Sequence, residues 1–234
     1  MFRSANVALG MAESLRMTQQ SLRAISLDDV RRALLLTSFD AQAAQSLMAP
    51  SHRPLRREGV PGLPRLSAVL LLIYPLDGAL SFVLMRRTEY NGVHSGQISL
   101  PGGSREADET FEQTALRETY EEIGVGDPAG DRLEILGTLE PLYVPPSDFV
   151  INPFVGYLPY HPNWNPNPAE VAEVIEAPLD LLFDAQTKGM DQMTIVDGVT
   201  RILPFYRVGQ YKVWGATAAI LSEFEGRVRA IIQT

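Results

Sequence analysis

An α+β fold is what this 234-residue sequence predicts, and three observations carry it. Segments with strand character outnumber helical ones. The helical segments stand at the middle of the chain and near both ends. The strict strand–helix alternation of a doubly wound parallel sheet is missing. Apolar residues make up 45% of the chain and charged residues 21%, a composition that can bury a generous core and is unlike that of disordered chains. The chain divides into a loosely ordered N-terminal segment, residues 1–25, and a domain over residues 26–234 that includes the N-terminal helices.

Each element follows from a local pattern. "SLDDVRRALLL" opens with Ser26 as an N-cap and acidic residues in the first turn, then shows helical apolar periodicity. "FDAQAAQSLMAP" reads as a second short helix that ends before Pro50, and "SHRPLRREGVPGLPR" as a basic connector punctuated by proline and glycine. "SAVLLLIYP" (67–75) is a continuous apolar run of the buried-strand kind. "ALSFVLMRR" (79–87) follows it across the turn "LDG", which predicts a hairpin. In "TFEQ", Thr110 is placed as an N-cap with Gln113 at N3, a capping box that starts a helix. "RLEILGTLEPLYV", "INPFVGYLPY" and "AEVAEVIEAP" read as strands, and Pro178 in "PLDLLFD" as a helix start. "MTIVDGVTRILPFYRVGQYKVWG" reads as a three-stranded meander, and "ATAAILSEFEGRVRAII" as a closing amphipathic helix.

Composition narrows the partners. With 28 acidic and 20 basic residues the formal charge is −8, which argues against a broad nucleic-acid or membrane-surface footprint. The absence of cysteine excludes disulfides and thiolate metal sites. "AVLLLIYPL" is far short of the roughly 20 apolar residues that a membrane-spanning helix needs. The start, "MFRSANVALGMAESLRMTQQ", breaks its apolar patch at Gly10 and Glu13 and makes a poor secretory core. The expectation is a cytoplasmic protein acting on a small molecule, with neither nucleic acid nor membrane as partner.

The chemistry is concentrated in "LPGGSREADETFEQTALRETYEEIGV", Leu100 to Val125. Glu118, Glu121 and Glu122 fall within an arc of roughly 100° on a helix, while Ala115, Leu116, Thr119 and Ile123 take the adjacent side and face the core. Like charges three and four residues apart repel by a few tenths of a kcal/mol per pair. Between Thr110 and Val125 no lysine dilutes them, and Arg117 is the one basic residue. Two readings follow from spacing: a solvated acidic face, or a set of hard oxygen donors for Mg²⁺ or Mn²⁺ beside a glycine loop.

From Gly103 the sequence runs glycine, five residues, Glu109, seven residues, then "RETYEEIGV". This resembles the Nudix box, G-x5-E-x7-R-E-U-x-E-E-x-G-U with U a bulky aliphatic residue. Gly103, Glu109, Arg117, Glu118, Glu121, Glu122 and Gly124 fill its fixed positions, and Thr119 replaces the first aliphatic one. Resemblance to Nudix hydrolases implies a loop–helix–loop motif on a mixed β-sheet in an α/β/α sandwich. It also implies cleavage of a diphosphate with the help of Mg²⁺ or Mn²⁺, and it is compatible with a homodimer. Carried onto this chain, it makes Glu118, Glu121 and Glu122 metal ligands together with the Gly102 carbonyl. Arg117 would orient the carboxylates, and Glu109 would tie Arg117 or the loop; a plain ion pair between the two is the simpler alternative. Glu121 is the expected general base within the box, and Glu170 in "NPAEVAEV" is the alternative from a distant loop.

Immediately upstream, "RRTEYNGVHSGQISLPGG" resembles the signature that coenzyme A pyrophosphatases carry before their box, L-L-T-x-R-S-A-x3-R-x3-G-x3-F-P-G-G. Arg86, Gly96, Pro101, Gly102 and Gly103 match it, and Leu100 stands for the phenylalanine. Arg87-Thr88 replaces Ser-Ala, and Gly92 stands where the second arginine is expected. The resemblance implies hydrolysis of coenzyme A or its derivatives to 3′,5′-ADP and 4′-phosphopantetheine. The Gly92 departure keeps ADP-ribose or another nucleoside diphosphate derivative as an alternative, and a non-catalytic ligand-binding module is a third reading. Arg86, Arg87, His94, Gln97, Gly102 and Gly103 are the expected substrate-binding residues. Tyr143 and Phe149 are candidates for stacking on adenine, though strand-end aromatics are more often core.

Overall fold

The computed structural model describes residues 24–50, 54, 56–88, 96–126, 132–194 and 198–233. Two short helices come first, α1 (Leu27–Leu34) and α2 (Ala41–Ser46). The hairpin follows as β1 (Arg65–Leu76) and β2 (Ala79–Arg87), then the short strands β3 (Ile98–Ser99) and β4 (Gly102–Ser104), and helix α3 (Phe111–Ile123). Strands β5 (Glu134–Thr138), β6 (Leu142–Val144), β7 (Phe149–Tyr157) and β8 (Val171–Pro178) lead to a meander, β9 (Lys188–Thr194), β10 (Thr200–Val208) and β11 (Tyr211–Trp214). Helix α4 (Gly215–Ile232) closes the described chain.

The main sheet has the order β3-β2-β1-β7-β5, with β4 paired to β1, β6 to β7 and β8 to β2. β1 and β7 run parallel, and the other pairs are antiparallel, so the sheet is mixed. β1 is buried on both faces, which is why its sequence is continuously apolar rather than alternating. Leu71 and Ile73 pack into the core shared with α4, α1 and α2. Leu70, Leu72 and Tyr74 pack on the opposite face with Ala115 and Ile123 of α3. Period-two alternation thus feeds two cores from one strand and produces the expected α/β/α sandwich. The meander forms a separate antiparallel sheet, β11-β10-β9.

Caps and turns set the elements as the sequence predicts. Ser26 and Asp29 form a reciprocal capping box on α1, as Thr110 and Gln113 do on α3. The hairpin turn places Asp77 and Gly78 both at positive φ, the geometry that matches strand twist. Three expectations need correction. "PLDLLFD" is a 3₁₀ segment (Leu179–Phe183) rather than an α-helix: it follows directly on β8, which runs through Pro178, and a second 3₁₀ turn, Ala185–Thr187, leads into β9. β4 was not anticipated, since "GGS" has no strand propensity and is held there by pairing with β1. Helix α4 is not amphipathic in its setting: α1 and α2 cover its outer side, and it is buried from Thr217 to Glu225. Its charged residues are satisfied internally. Glu223 accepts from Gln45 Nε2 at 2.8 Å and Arg227 Nε at 2.8 Å, and Glu225 accepts from Tyr206 Oη at 2.6 Å and Arg229 Nε at 2.8 Å. Among the described residues, no helix is long and apolar enough to cross a membrane.

Thr110→Ala removes the hydroxyl that caps Gln113 N–H at the start of α3. It is expected to lower unfolding free energy by about 1 kcal/mol, measured by urea denaturation, with the sheet's circular dichroism unchanged.

Candidate active site

The candidate site forms where β4 meets α3. β4 lies antiparallel to the start of β1, Ser67 opposite Ser104 and Val69 opposite Gly102. Gly102 has φ +145°, and a Cβ there would collide with the Ala68 carbonyl and Val69. A Cβ on Gly103 would collide with the Glu118 carboxylate. The pair of glycines therefore lets sheet backbone approach helix carboxylates more closely than any side chain would permit.

Glu122 is fully buried, and its Oε2 accepts the Gly102 N–H at 2.8 Å. Burial pushes its carboxyl up to about 8, against the pull of the Gly102 N–H and of Arg87, whose Nη1 lies 3.5 Å from Oε1. Burial likewise raises Glu118, against Arg117, with the neighbouring Glu121 and Glu170 raising it further. Glu170 also raises Glu122. Four carboxylates thus share one field with two arginines.

Arg117 distributes itself among them. Its Nη1 reaches Glu118 Oε1 and Glu121 Oε2, each at 3.0 Å, and its Nη2 donates to the Ser104 carbonyl at 3.1 Å. Glu109 takes the other edge of the guanidinium, 2.5 Å from Nε and 3.1 Å from Nη2. It also accepts from Thr114 Oγ1 at 2.9 Å and from the Glu106 N–H at 3.1 Å. Arg117 beside it holds the Glu109 carboxyl down to about 2. Glu109 thus contacts Arg117 and the loop backbone at once. A planar fork with five donors suits this task, and lysine could not replace it.

The segment 158–170 closes the other side. The Asn165 N–H donates to the Ile123 carbonyl at 3.0 Å and the Asn167 N–H to the Glu122 carbonyl at 2.9 Å, satisfying orphan acceptors in the last turn of α3. Asn167 Nδ2 donates to Glu170 Oε1 at 3.2 Å, which fixes that carboxylate near the others.

A cavity of about 450 Å³ opens from this cluster, with Glu118, Gly102, Gly103, Arg87 and Gln97 in its wall. The sequence-predicted residues are therefore largely brought together. Arg86 is not: it turns away to Glu173, 3.5 Å from its Nε, because adjacent strand residues face opposite sides. His94 lies outside the described residues. Phe149 lines the cavity with the Arg65 guanidinium 4.1 Å from its ring centroid, whereas Tyr143 is core. Ser99, which the sequence places with Gln97 on a short strand, also lines the cavity; Ser67 and Trp214 in the cavity wall, and Asn167 as the support of Glu170, were not anticipated. The "NPNP" run before Glu170 was the one available signal of a built turn.

Among the described residues, no three acidic or histidine side chains converge into a preformed metal cage. Arg117 holds Glu118 and Glu121, and Glu122 is turned to Gly102. The donor set nonetheless fits a hard divalent cation. All its side-chain donors are carboxylate oxygens, and burial, with their mutual repulsion, raises the Glu118 and Glu122 carboxyls.

A family model described as the NUDIX domain matches residues 64–194. The chain is 35% identical over 165 residues to the human protein named mitochondrial coenzyme A diphosphatase NUDT8, covering 69% of this chain and 68% of that one. It is 34% identical over 178 residues to Nudix hydrolase 15, mitochondrial, of Arabidopsis thaliana; that match covers 73% of this chain and 61% of the relative, less than two thirds of its length. It is 33% identical over 193 residues to the Nudix hydrolase NudL of Pectobacterium atrosepticum, covering 80% of this chain and 90% of that one. A solved MutT/nudix family protein from Enterococcus faecalis shares the fold, with a TM-score of 0.51 at 17% identity over 88% of this chain and 75% of that one.

The cytoplasmic expectation is corrected: the relatives from human and Arabidopsis thaliana carry mitochondrial designations in their names. An acidic composition and an interrupted apolar start do not distinguish cytoplasm from mitochondrion.

Glu109→Gln leaves Arg117 with one fewer charged partner and is expected to cost about 1–3 kcal/mol of stability at neutral pH. Because the folded carboxyl titrates below its ordinary value of 4.5, this contribution is present above that value. It fades as pH falls through about 2. Urea unfolding of both proteins across that acid range would show their stabilities converging.

Proposed function

This chain belongs to the Nudix hydrolase family and is a pyrophosphohydrolase, and from that premise we propose that it hydrolyses the diphosphate of coenzyme A or its derivatives. The products would be 3′,5′-ADP and 4′-phosphopantetheine or its acyl form. The observation that carries this reading is the placement of Arg87. It stands in the wall of the same cavity as the Gly102-Gly103 turn and Glu118, and its Nε is buried with no partner among the described residues. That arrangement leaves a donor free for a phosphate oxygen directly beside the carboxylates. The upstream signature and the likeness to a relative named coenzyme A diphosphatase support the substrate.

In this reading Glu118, Glu121 and Glu122, with the Gly102 carbonyl, would hold Mg²⁺ or Mn²⁺. When bound, such an ion neutralises diphosphate charge and lowers the pKa of a coordinated water. The chain's own residues then do the following. Arg117 keeps Glu118 and Glu121 at fixed positions through Nη1. Gly103 backbone and Arg87 receive the phosphates, with Gln97 beside them. Glu121 Oε1, the oxygen not engaged by Arg117, accepts the water's proton. Glu170, supported by Asn167, is the second acceptor within the same field.

A second substrate, ADP-ribose or another nucleoside diphosphate derivative, is favoured by Gly92 in the place of the signature's second arginine. A purely ligand-binding module is disfavoured, because every box glutamate is present.

Purified protein with Mg²⁺ or Mn²⁺ is expected to turn over coenzyme A and acyl-coenzyme A faster than ADP-ribose or NADH. Turnover of ADP-ribose without any of coenzyme A would remove this substrate assignment. Glu121→Gln and Glu122→Gln should each lower kcat by more than about a hundredfold while thermal unfolding stays cooperative. Near wild-type rates in both variants would contradict the ligand assignment.

A further inference from the structure

The cavity of about 450 Å³ at the candidate site is lined by two sets of residues that differ in chemistry. The near end carries Gly103, Glu118 and Arg87. Its floor is the face of the sheet on which Ser67 and Val69 of β1 alternate beside Phe149 and Ile151 of β7. The far wall is Trp214 at the end of β11 and Ile220 of α4. Both lie outside residues 64–194, the span that matches the family model.

We infer that this far end is a subsite for the uncharged acyl-pantetheine arm of the substrate, with Trp214 and Phe149 as its apolar contacts. The inference rests on the coenzyme A reading and adds to it which half of the substrate enters the cavity. Charge decides between the halves. The adenosine half carries a 3′-phosphate of about −1.5 to −2 charge at neutral pH. Among the described residues lining the cavity, Arg87 is the one cationic side chain, and its Nη1 already lies 3.5 Å from Glu122. Glu118 adds a carboxylate to the same wall. A dianion seated deeper would face mainly apolar surface; Arg65 stacks on the Phe149 ring, 4.1 Å from its centroid, and is not among the lining side chains, so the desolvation cost is high. An amide-bearing arm with an apolar tail meets no such penalty. Ser99 lines the same cavity with its Oγ buried and without a partner among the described residues, and so offers a hydrogen bond to an amide. Trp214, Phe149 and Ile151 offer apolar surface to the tail.

The test measures binding of each half separately by calorimetry, with S-octanoyl-pantetheine and 3′,5′-ADP as probes, so that it does not depend on turnover. Trp214→Ala is expected to weaken octanoyl-pantetheine binding by about tenfold and to leave 3′,5′-ADP within about twofold, with Trp214→Phe recovering most of the loss. Should Trp214→Ala misfold, Phe149→Leu on the cavity floor is expected to give the same selective loss. Selective loss of 3′,5′-ADP binding, equal loss of both probes, or no binding of octanoyl-pantetheine to the wild type would each overturn the inference. Wild-type hydrolysis of coenzyme A, assayed in parallel, tests the substrate reading on its own. A protein that hydrolyses coenzyme A but shows no Trp214-dependent binding refutes only the subsite.

Discussion

The bond from the Gly102 N–H to the buried carboxylate of Glu122 is the contact on which the site depends. A carboxylate with no solvent exposure is costly unless its oxygens are met by donors or cations. Here one oxygen meets backbone from β4 and the other faces Arg87 from the end of β2. The last turn of α3 is thereby fixed to two strands of the sheet. The same helix turn gives its carbonyls to Asn165 and Asn167, so the loop before β8 is fixed as well. Helix, glycine turn and distal loop are registered against one another through a single buried acid and its neighbours.

Around that anchor, charge is arranged rather than cancelled. Arg117 bridges Glu109, Glu118 and Glu121, yet burial and mutual repulsion still raise Glu118 and Glu122. Structural ion pairs normally settle their partners into the charged form, as Arg117 does for Glu109. Glu118 and Glu122 are left under-compensated, as perturbed carboxyls at functional sites often are. The acidic turn is therefore neither a solvated face nor a finished salt-bridge network.

The cavity extends this division of labour. Its polar end is built from the glycine turn and α3, while its far wall comes from β11 and α4. The N-terminal helices have a part in this, because α1 and α2 cover the outer side of α4 and allow that helix to be buried along most of its length. Residues before and after the family core thus shape the space in which the organic part of a substrate would lie.

Local pattern alone determined much of this protein. The capping boxes at Ser26 and Thr110, the Asp77-Gly78 hairpin, the meander and the spacing of Glu109, Arg117, Glu118, Glu121 and Glu122 are all short-range features, written in consecutive residues. Tertiary structure decided the rest. Arg86 and Arg87 are neighbours in sequence, yet only Arg87 reaches the cavity, because strand alternation sends adjacent side chains to opposite faces. β4 exists only because β1 is there to pair with it, and Glu170 joins the carboxylates only because the loop before β8 returns to α3. Trp214 stands almost a hundred residues beyond Glu118 and enters the same cavity through packing of α4 against the sheet. A one-dimensional pattern encodes which groups can ligate, cap or turn; which of them share a dielectric environment depends on long-range burial, and that is set only when the layers close.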